Sequence, residues 1–293
     1  MMERNISILV TGANGQLGSE IKQLSGSYAG FDFTFIDVED LDLTNKDAVE
    51  KYFKEKSFDH VINCAAYTAV DKAESDEDTA FSVNADAVGL LGEVTARKGI
   101  RVIHISTDYV FDGSANRPYT EDAKVNPVSA YGRSKLKGEE LLMKNNPDSI
   151  IIRTAWLYSA FGNNFVKTML RFGKERDELR VVFDQVGSPT HAADLAKAVV
   201  DIIHKTVTGD KEFVPGIYHY SNEGAISWYD FASHILKLAG VDCKVTPVLS
   251  EEYPAPAPRP AYSVLNKGKI KEVYGLEIPY WYDSLKRMLE SEK

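Results

Sequence analysis

The chain is poor in the features that would assign it to several large protein classes. It has two cysteines, Cys64 and Cys243, in 293 residues. They lie far apart with no second pair, so they supply neither a disulfide framework nor a zinc site, and they fit a reducing compartment. Long apolar runs are missing as well; none approaches the roughly 20 residues needed to cross a bilayer. Positive charge is in deficit: 34 Lys and Arg against 43 Asp and Glu leave a formal net charge of −9. That balance disfavours general affinity for nucleic acid or anionic membrane, which excess Lys and Arg would carry. The six histidines, at 60, 104, 191, 204, 219 and 234, show no pair at ligand spacing with an acidic partner, so no metal site is assigned. The opening MMERNISILVTG enters a strand pattern without an apolar stretch ending in a small-residue cleavage site. The expectation is a cytoplasmic protein that engages neither membrane nor nucleic acid.

What is present is an ordinary globular composition, 44% hydrophobic and 26% charged, in a length that suits one large or two modest domains. Short apolar runs rich in β-branched residues occur at ISILV (6–10), DFTFID (32–37), DHVINCAA (59–66), RVIHIST (101–107) and SIIIRTAWLY (149–158). Helix patterns near 16–25, 44–56, 76–98 and 129–144 separate them. Thr44 with Asp47 reads as a capping box, and Pro147 follows the fourth helix. Near-continuous apolar strands alternating with helices predict an α/β fold, a Rossmann-type doubly wound parallel sheet. We assign residues 1–157 to this dinucleotide-binding domain, which also receives a helix at 191–206. Residues 158–293 form a smaller, mainly substrate-binding α+β domain. It has a helix at 163–178, a strand in LRVVFDQ, strand and helix from GIYHYS (216–221) and Ser227 onward, and an extended proline-rich stretch at 251–262.

The turn after the first strand reads LVTGANGQLGSEI, with Gly12, Gly15 and Gly18 in a G-x-x-G-x-x-G spacing. Glycines there let the backbone turn tightly and approach a pyrophosphate at the positive end of the following helix. Asp37 ends the second strand nineteen residues beyond Gly18, where a carboxylate accepts hydrogen bonds from the adenosine ribose. No Lys or Arg adjoins it to pair with a 2′-phosphate, a leaning toward NADH.

In NPVSAYGRSKLKGEE, Tyr131 and Lys135 lie one helical turn apart and so share a face. Reducing a ketone takes a hydride and a proton for the oxygen as negative charge builds on it. Tyr131 can supply the proton, and a cation close by would lower its pKa by favouring the phenolate, the role expected of Lys135. Thr107, at the carboxyl end of the fourth strand, can hydrogen-bond the substrate oxygen.

In this order, TGANGQLG, NCAAYTAVDKAE, HISTDYVFDG, SAYGRSK, IIRTAWLY, GNNFVKTML and DQVGSPT resemble the extended short-chain dehydrogenase/reductase superfamily over nearly the whole chain. Within it they are most similar to the reductases of dTDP-linked 4-keto sugars. The resemblance implies that Thr107, Tyr131 and Lys135 are catalytic. It implies that NADPH or NADH is held by Gly12, Asn14, Gly15, Gln16, Leu17, Gly18, Asp37, Asp42, Leu43, Asn63, Ala65, Ala66 and Tyr67, together with Tyr131 and Lys135. It places a dTDP-sugar against Thr107, Asp108, Tyr109 and Trp156, with Arg259 available to grip the diphosphate bidentately. Asn84 falls where the superfamily keeps a structural asparagine. Magnesium and homodimers are associated with such enzymes, although no ligand set here supports a metal. The implied reaction reduces the C4 ketone of dTDP-4-dehydro-6-deoxy-L-mannose to dTDP-L-rhamnose, a precursor of cell-surface polysaccharide.

Alternatives remain at this level. A related dehydratase would carry Asp-Glu after the threonine, because eliminating water takes an additional acid and base; here the residues are Asp108 and Tyr109. Another nucleotide-sugar reductase or an epimerase is not excluded by any residue. A non-catalytic NAD(P)-binding regulatory subunit, such as that of methionine adenosyltransferase, shares the same fold. The reading of Asp37 carries its own test. Asp37→Ala is expected to weaken NADH more than NADPH, since the carboxylate serves the 2′-hydroxyl and repels a 2′-phosphate; equal losses in coenzyme titrations would remove Asp37 from the ribose.

Overall fold

The alternation in the sequence is realised as a parallel sheet wound on both faces. The computed structural model describes residues 5–291. Its first part runs β1 (Ile6–Thr11), α1 (Gln16–Leu24), β2 (Phe31–Ile36), α2 (Lys46–Glu55) and β3 (His60–Asn63). Short helices α3 (Val70–Ala73) and α4 (Glu77–Phe81) pass through a π-helical turn, Ser82–Asp86, into α5 (Ala87–Ala96). There follow β4 (Arg101–Thr107), α6 (Ala130–Asn145), β5 (Ser149–Thr154) and β6 (Leu157–Tyr158). Next come α7 (Phe165–Glu175), β7 (Glu178–Val182), β8 (Val186–Gly187), β9 (Thr190–His191) and α8 (Ala192–Val207). The chain ends with β10 (Gly216–His219), β11 (Ile226–Ser227), α9 (Trp228–Ala239), β12 (Lys244–Val248), α10 (Gly268–Tyr274) and α11 (Trp281–Ser291).

Across the main sheet the order is β2-β1-β3-β4-β5-β10, with every pairing parallel. The winding reverses between β1 and β3, which opens a crevice at their carboxyl ends. Alternation along each strand supplies two cores. Ile8 and Val10 pack with Leu17 and Ile21 of α1 and with Leu195, Val199 and Ile203 of α8. Leu9 faces the other way, with Val61 and Val102, onto Val49 and Phe53 of α2, Leu91 of α5 and Leu142 of α6. A third core joins α7, α9 and α11 through Val166, Phe231, Ile235 and Leu285. No helix among the described residues is long and apolar enough to cross a membrane.

The helix near 191–206 packs on the sheet as α8. Three local expectations are corrected. GIYHYS, read as part of the second domain, instead supplies β10, which pairs with β5 from Gly216↔Ile150 to His219↔Arg153 and completes the sheet edge. SIIIRTAWLY is not one strand, because Trp156 takes a positive φ of 49° that breaks it into β5 and β6. Asn45, not Thr44, caps α2, its side chain accepting from the Ala48 amide, while the Thr44 hydroxyl donates to Asp42.

Beneath the sheet's carboxyl edge lies an ion pair, Arg153 with Glu139 at 2.6 Å, each side chain 2% exposed. Glu139 also accepts from the Ser106 hydroxyl at 2.5 Å, and the guanidinium stacks over Phe111. Arg153→Met alone strands the carboxylate in a dry interior and is expected to cost about 3–5 kcal/mol, whereas pairing it with Glu139→Leu should recover most of that loss. Denaturant unfolding of both variants measures the difference.

Candidate active site

At the carboxyl ends of β1, β3, β4 and β5 lies a cavity of ≈ 840 Å³. Its walls include Gly12, Gly15, Gln16, Leu17, Gly18, Asp37, Asp42, Leu43, Asn63, Ala65, Ala66, Thr107, Asp108, Tyr109, Tyr131, Lys135 and Trp156, so one cavity gathers most of the residues singled out from sequence. Asn14 and Arg259 touch it through Asp37 and Tyr109, and Tyr67 sits in the chain between lining residues Ala66 and Thr68.

The glycine loop is shaped by close approach. Gly12 has a φ of +65°, and a Cβ there would stand 2.6 Å from the Ala65 amide nitrogen. A Cβ on Gly18 would fall 2.4 Å from the Gly12 carbonyl oxygen. Around Gly15, the N-cap of α1, such a Cβ would meet, beyond its chain neighbours and among the described residues, the Gly12 carbonyl oxygen at 3.2 Å. The loop therefore presses against the segment after β3 yet leaves the helix start open toward the cavity, a cradle that fits a pyrophosphate. Asp37 Oδ2 accepts the Asn14 amide at 2.7 Å, which sets its carboxylate at the rim of this cradle. Among the described residues no group of three or more His, Cys, Asp or Glu is placed to hold a metal ion.

Helix α6 is capped by Ser129, whose hydroxyl accepts the Gly132 amide at 3.1 Å. Asn84, fully buried in the π-helical turn, receives the Tyr67 amide and donates to the Tyr67 carbonyl and to Ser134, whose hydroxyl donates to the Tyr131 carbonyl. Asn84 thereby fastens the loop after β3 to α6.

Burial dominates the electrostatics. Tyr131 is held above the ordinary phenol range chiefly by burial, with its hydrogen-bonding contact to Thr107 working in the other direction. The expected lowering of that phenol by Lys135 is not how the groups stand. Lys135 turns to the Ile105 carbonyl at 2.7 Å and to His104, and burial brings it down to about 8 against the opposing pull of Glu139. Thr107 donates to Asp108 Oδ1 at 3.0 Å and accepts the Tyr109 amide. Asp108 is 2% exposed, its Oδ2 makes no hydrogen bond among the described residues, and burial raises its carboxyl to about 6.

At the rim Arg259 donates to the Tyr109 hydroxyl at 2.9 Å and to Asp71 at 2.6 Å, and the Tyr109 ring meets Tyr131 edge-on at 5.5 Å. The expected arginine thus reaches the site through Tyr109 and is already paired. Trp156 stacks on Trp228 with centroids 3.5 Å apart and planes 8° from parallel. A side chain at Gly187 would collide with the Trp156 indole, its Cβ falling 2.5 Å away, so the glycine makes room for the ring. Sequence reasoning missed Trp228 and Asn164, both lining the cavity. Trp228 carries no signal beyond its place after the Ser227 cap, and Asn164 belongs to the GNNF motif, where its side chain caps α7 and donates to Gln16.

A family model described as the RmlD substrate binding domain matches residues 6–293. The chain belongs to that family. A dTDP-4-dehydrorhamnose reductase of Aggregatibacter actinomycetemcomitans is 40% identical over 287 residues, covering 96% of this chain and 97% of its own. The crystal structure of a dTDP-4-dehydrorhamnose reductase from Clostridium acetobutylicum shares 48% identity and a TM-score of 0.92, covering 98% of this chain and 99% of that one. That of the Bacillus anthracis enzyme, solved in complex with NADP, gives 39% and 0.91 over the same shares. The Rossmann-like fold inferred from strand and helix alternation is the fold of these RmlD relatives.

The elevated carboxyl of Asp108 has a stability consequence. Its ordinary value is 3.8 and its folded value about 6, so between those limits the unfolded chain sheds the proton first and stability falls as pH rises. Asp108→Asn removes that penalty. Unfolding measurements should show a gain of up to roughly 3 kcal/mol at pH 7.5, at about 1.36 kcal/mol per pKa unit, and none at pH 3.

Proposed function

We propose that this RmlD family member reduces the C4 ketone of dTDP-4-dehydro-6-deoxy-L-mannose to dTDP-L-rhamnose with NADPH or NADH. The observation that carries the reading is the convergence of Thr107, Tyr131 and Lys135 on the same cavity as the glycine cradle. When bound, the reduced coenzyme supplies the hydride. Gly12, Gly15 and Gly18 seat its pyrophosphate, and Asp37 faces its ribose from the rim. Tyr131, held above the ordinary phenol range by burial, keeps its proton across the working pH range and donates it as charge builds on the ketone oxygen. Thr107, whose own proton goes to Asp108, aligns the phenol. The Trp156 indole, braced by Trp228, offers an apolar face to the sugar ring. The part of the chain that carries α7, α9 and α11 closes the sugar side. Reduced cysteines and the absence of excess basic charge support a cytoplasmic setting.

The dehydratase reading loses ground on one observation: where it needs a glutamate, Tyr109 has its hydroxyl engaged by Arg259. The reductase is tested by NAD(P)H oxidation that depends on the dTDP-keto sugar, with product identification. A product other than the 4-hydroxy sugar overturns the substrate assignment. Tyr131→Phe should lower kcat by about 10²–10⁴ with little change in KM or coenzyme affinity. Near-normal turnover would instead remove Tyr131 as the proton donor, whereas a wild type without keto-sugar-dependent oxidation would revive the reading as a binding subunit.

A further inference from the structure

A row of buried polar side chains crosses the sheet beneath the cavity, and the reaction described above does not use all of it. Thr11, Asn63 and His104 are register neighbours on β1, β3 and β4, each no more than 1% exposed. The Thr11 hydroxyl donates to Asn63 Oδ1 at 2.6 Å, and the Ala65 amide donates to the same oxygen at 3.3 Å. Asn63 Nδ2 lies 3.0 Å from His104 Nδ1, and His104 Nε2 lies 3.4 Å from Lys135 Nζ.

Donor and acceptor chemistry orders this row. A backbone amide can only donate, so the Ala65 contact fixes which end of the Asn63 amide is oxygen, and Nδ2 must donate to His104. Nδ1 is therefore the bare nitrogen. Complete burial, reinforced by Lys135, holds the imidazole well below its usual range, so the ring is neutral and its one proton sits on Nε2, facing Nζ. An ammonium there would set donor against donor, whereas an amine can accept the proton and still donate to the Ile105 carbonyl.

We infer that His104 is a positioning residue for Lys135: as the Nε2–H tautomer it donates to Nζ, favours the uncharged amine, and makes Lys135 a group that gains and loses a proton during use instead of a fixed cation. The other groups bearing on Nζ push the opposite way or are neutral. Glu139 favours the ammonium but is bound to Arg153; Cys64, its thiol pushed up to about 12 by burial, is uncharged; Tyr131 is a phenol. The ammonium is the form that stabilises a phenolate on Tyr131, so turnover should fall as pH rises through the titration of Lys135.

This rests on the assignment of Lys135 under the proposed reduction, and its test is built to fail separately. In wild-type protein labelled with ¹⁵N-histidine, one resonance pair should report a neutral ring with bare Nδ1 and protonated Nε2 from pH 5 to pH 9. A ring protonated on Nδ1, or one that titrates in that interval, overturns the inference whatever the activity. In the keto-sugar assay, His104→Leu removes the donor and should move the alkaline limb of kcat upward by about one pH unit. His104→Gln, whose amide N–H can stand where Nε2–H stands, should bring the limb back toward wild type. An unmoved limb in a folded, coenzyme-binding Leu variant overturns the inference, and if that variant does not fold the tautomer measurement decides. Absence of any keto-sugar-dependent oxidation in the wild type would instead overturn the reductase reading.

Discussion

The site stands on the contact between α6 and the π-helical turn that carries Asn84. A Cβ on Gly138 would lie 2.0 Å from the Asn84 carbonyl oxygen, so no larger residue lets the two helices meet at this distance. At that spacing a single side-chain amide spans the gap, binding both backbone polar groups of Tyr67 on one side and Ser134 on the other. The loop after β3 and α6 with its Tyr131 both line the cavity, so one buried amide sets the separation of these two walls. Single-turn π-bulges are rare and concentrate at functional sites, and here the extra residue turns Asn84 inward.

Burial then imposes a common chemistry on that frame. Tyr131 and Asp108 move up and Lys135 moves down, each toward its uncharged form and each with burial as the largest cause. A charge appearing on a substrate oxygen in such surroundings is poorly screened, and donors already aimed at it act more strongly than they would in water. The same dryness explains why the buried Arg153 and Glu139 occur as a pair.

How much of this could be read from the chain depended on distance along it. The glycine loop, Asp37 and the Tyr131–Lys135 spacing are local patterns, each contained in one turn or one helix, and the fold sets them along one cavity. Asn84 was placed by resemblance, and its partners followed. What escaped was set by contacts between remote segments. Trp228 joins Trp156 from across the second layer, β10 finds β5 some sixty residues after it in sequence, and Lys135 turns to β4 because His104 and the Ile105 carbonyl wait there. Thr44 and Asp47 lost the cap to the neighbouring Asn45, whose oxygen also reaches three residues ahead, a competition that spacing alone does not rank.

The pairing of β10 with β5 bears on how the protein can be divided. Having left the sheet after β5, the chain returns as α8 and β10, leaves again for α9 and β12, comes back as α10 against the first core, and departs once more into α11. The two layers are sewn together by alternating stitches instead of being strung in series. Neither can be excised as a contiguous fragment with its core complete, and rotation of one against the other must flex several connections at once. A cleft closed over its ligands by such a body works by small adjustments of its lining, and its two layers can be inherited only as a unit.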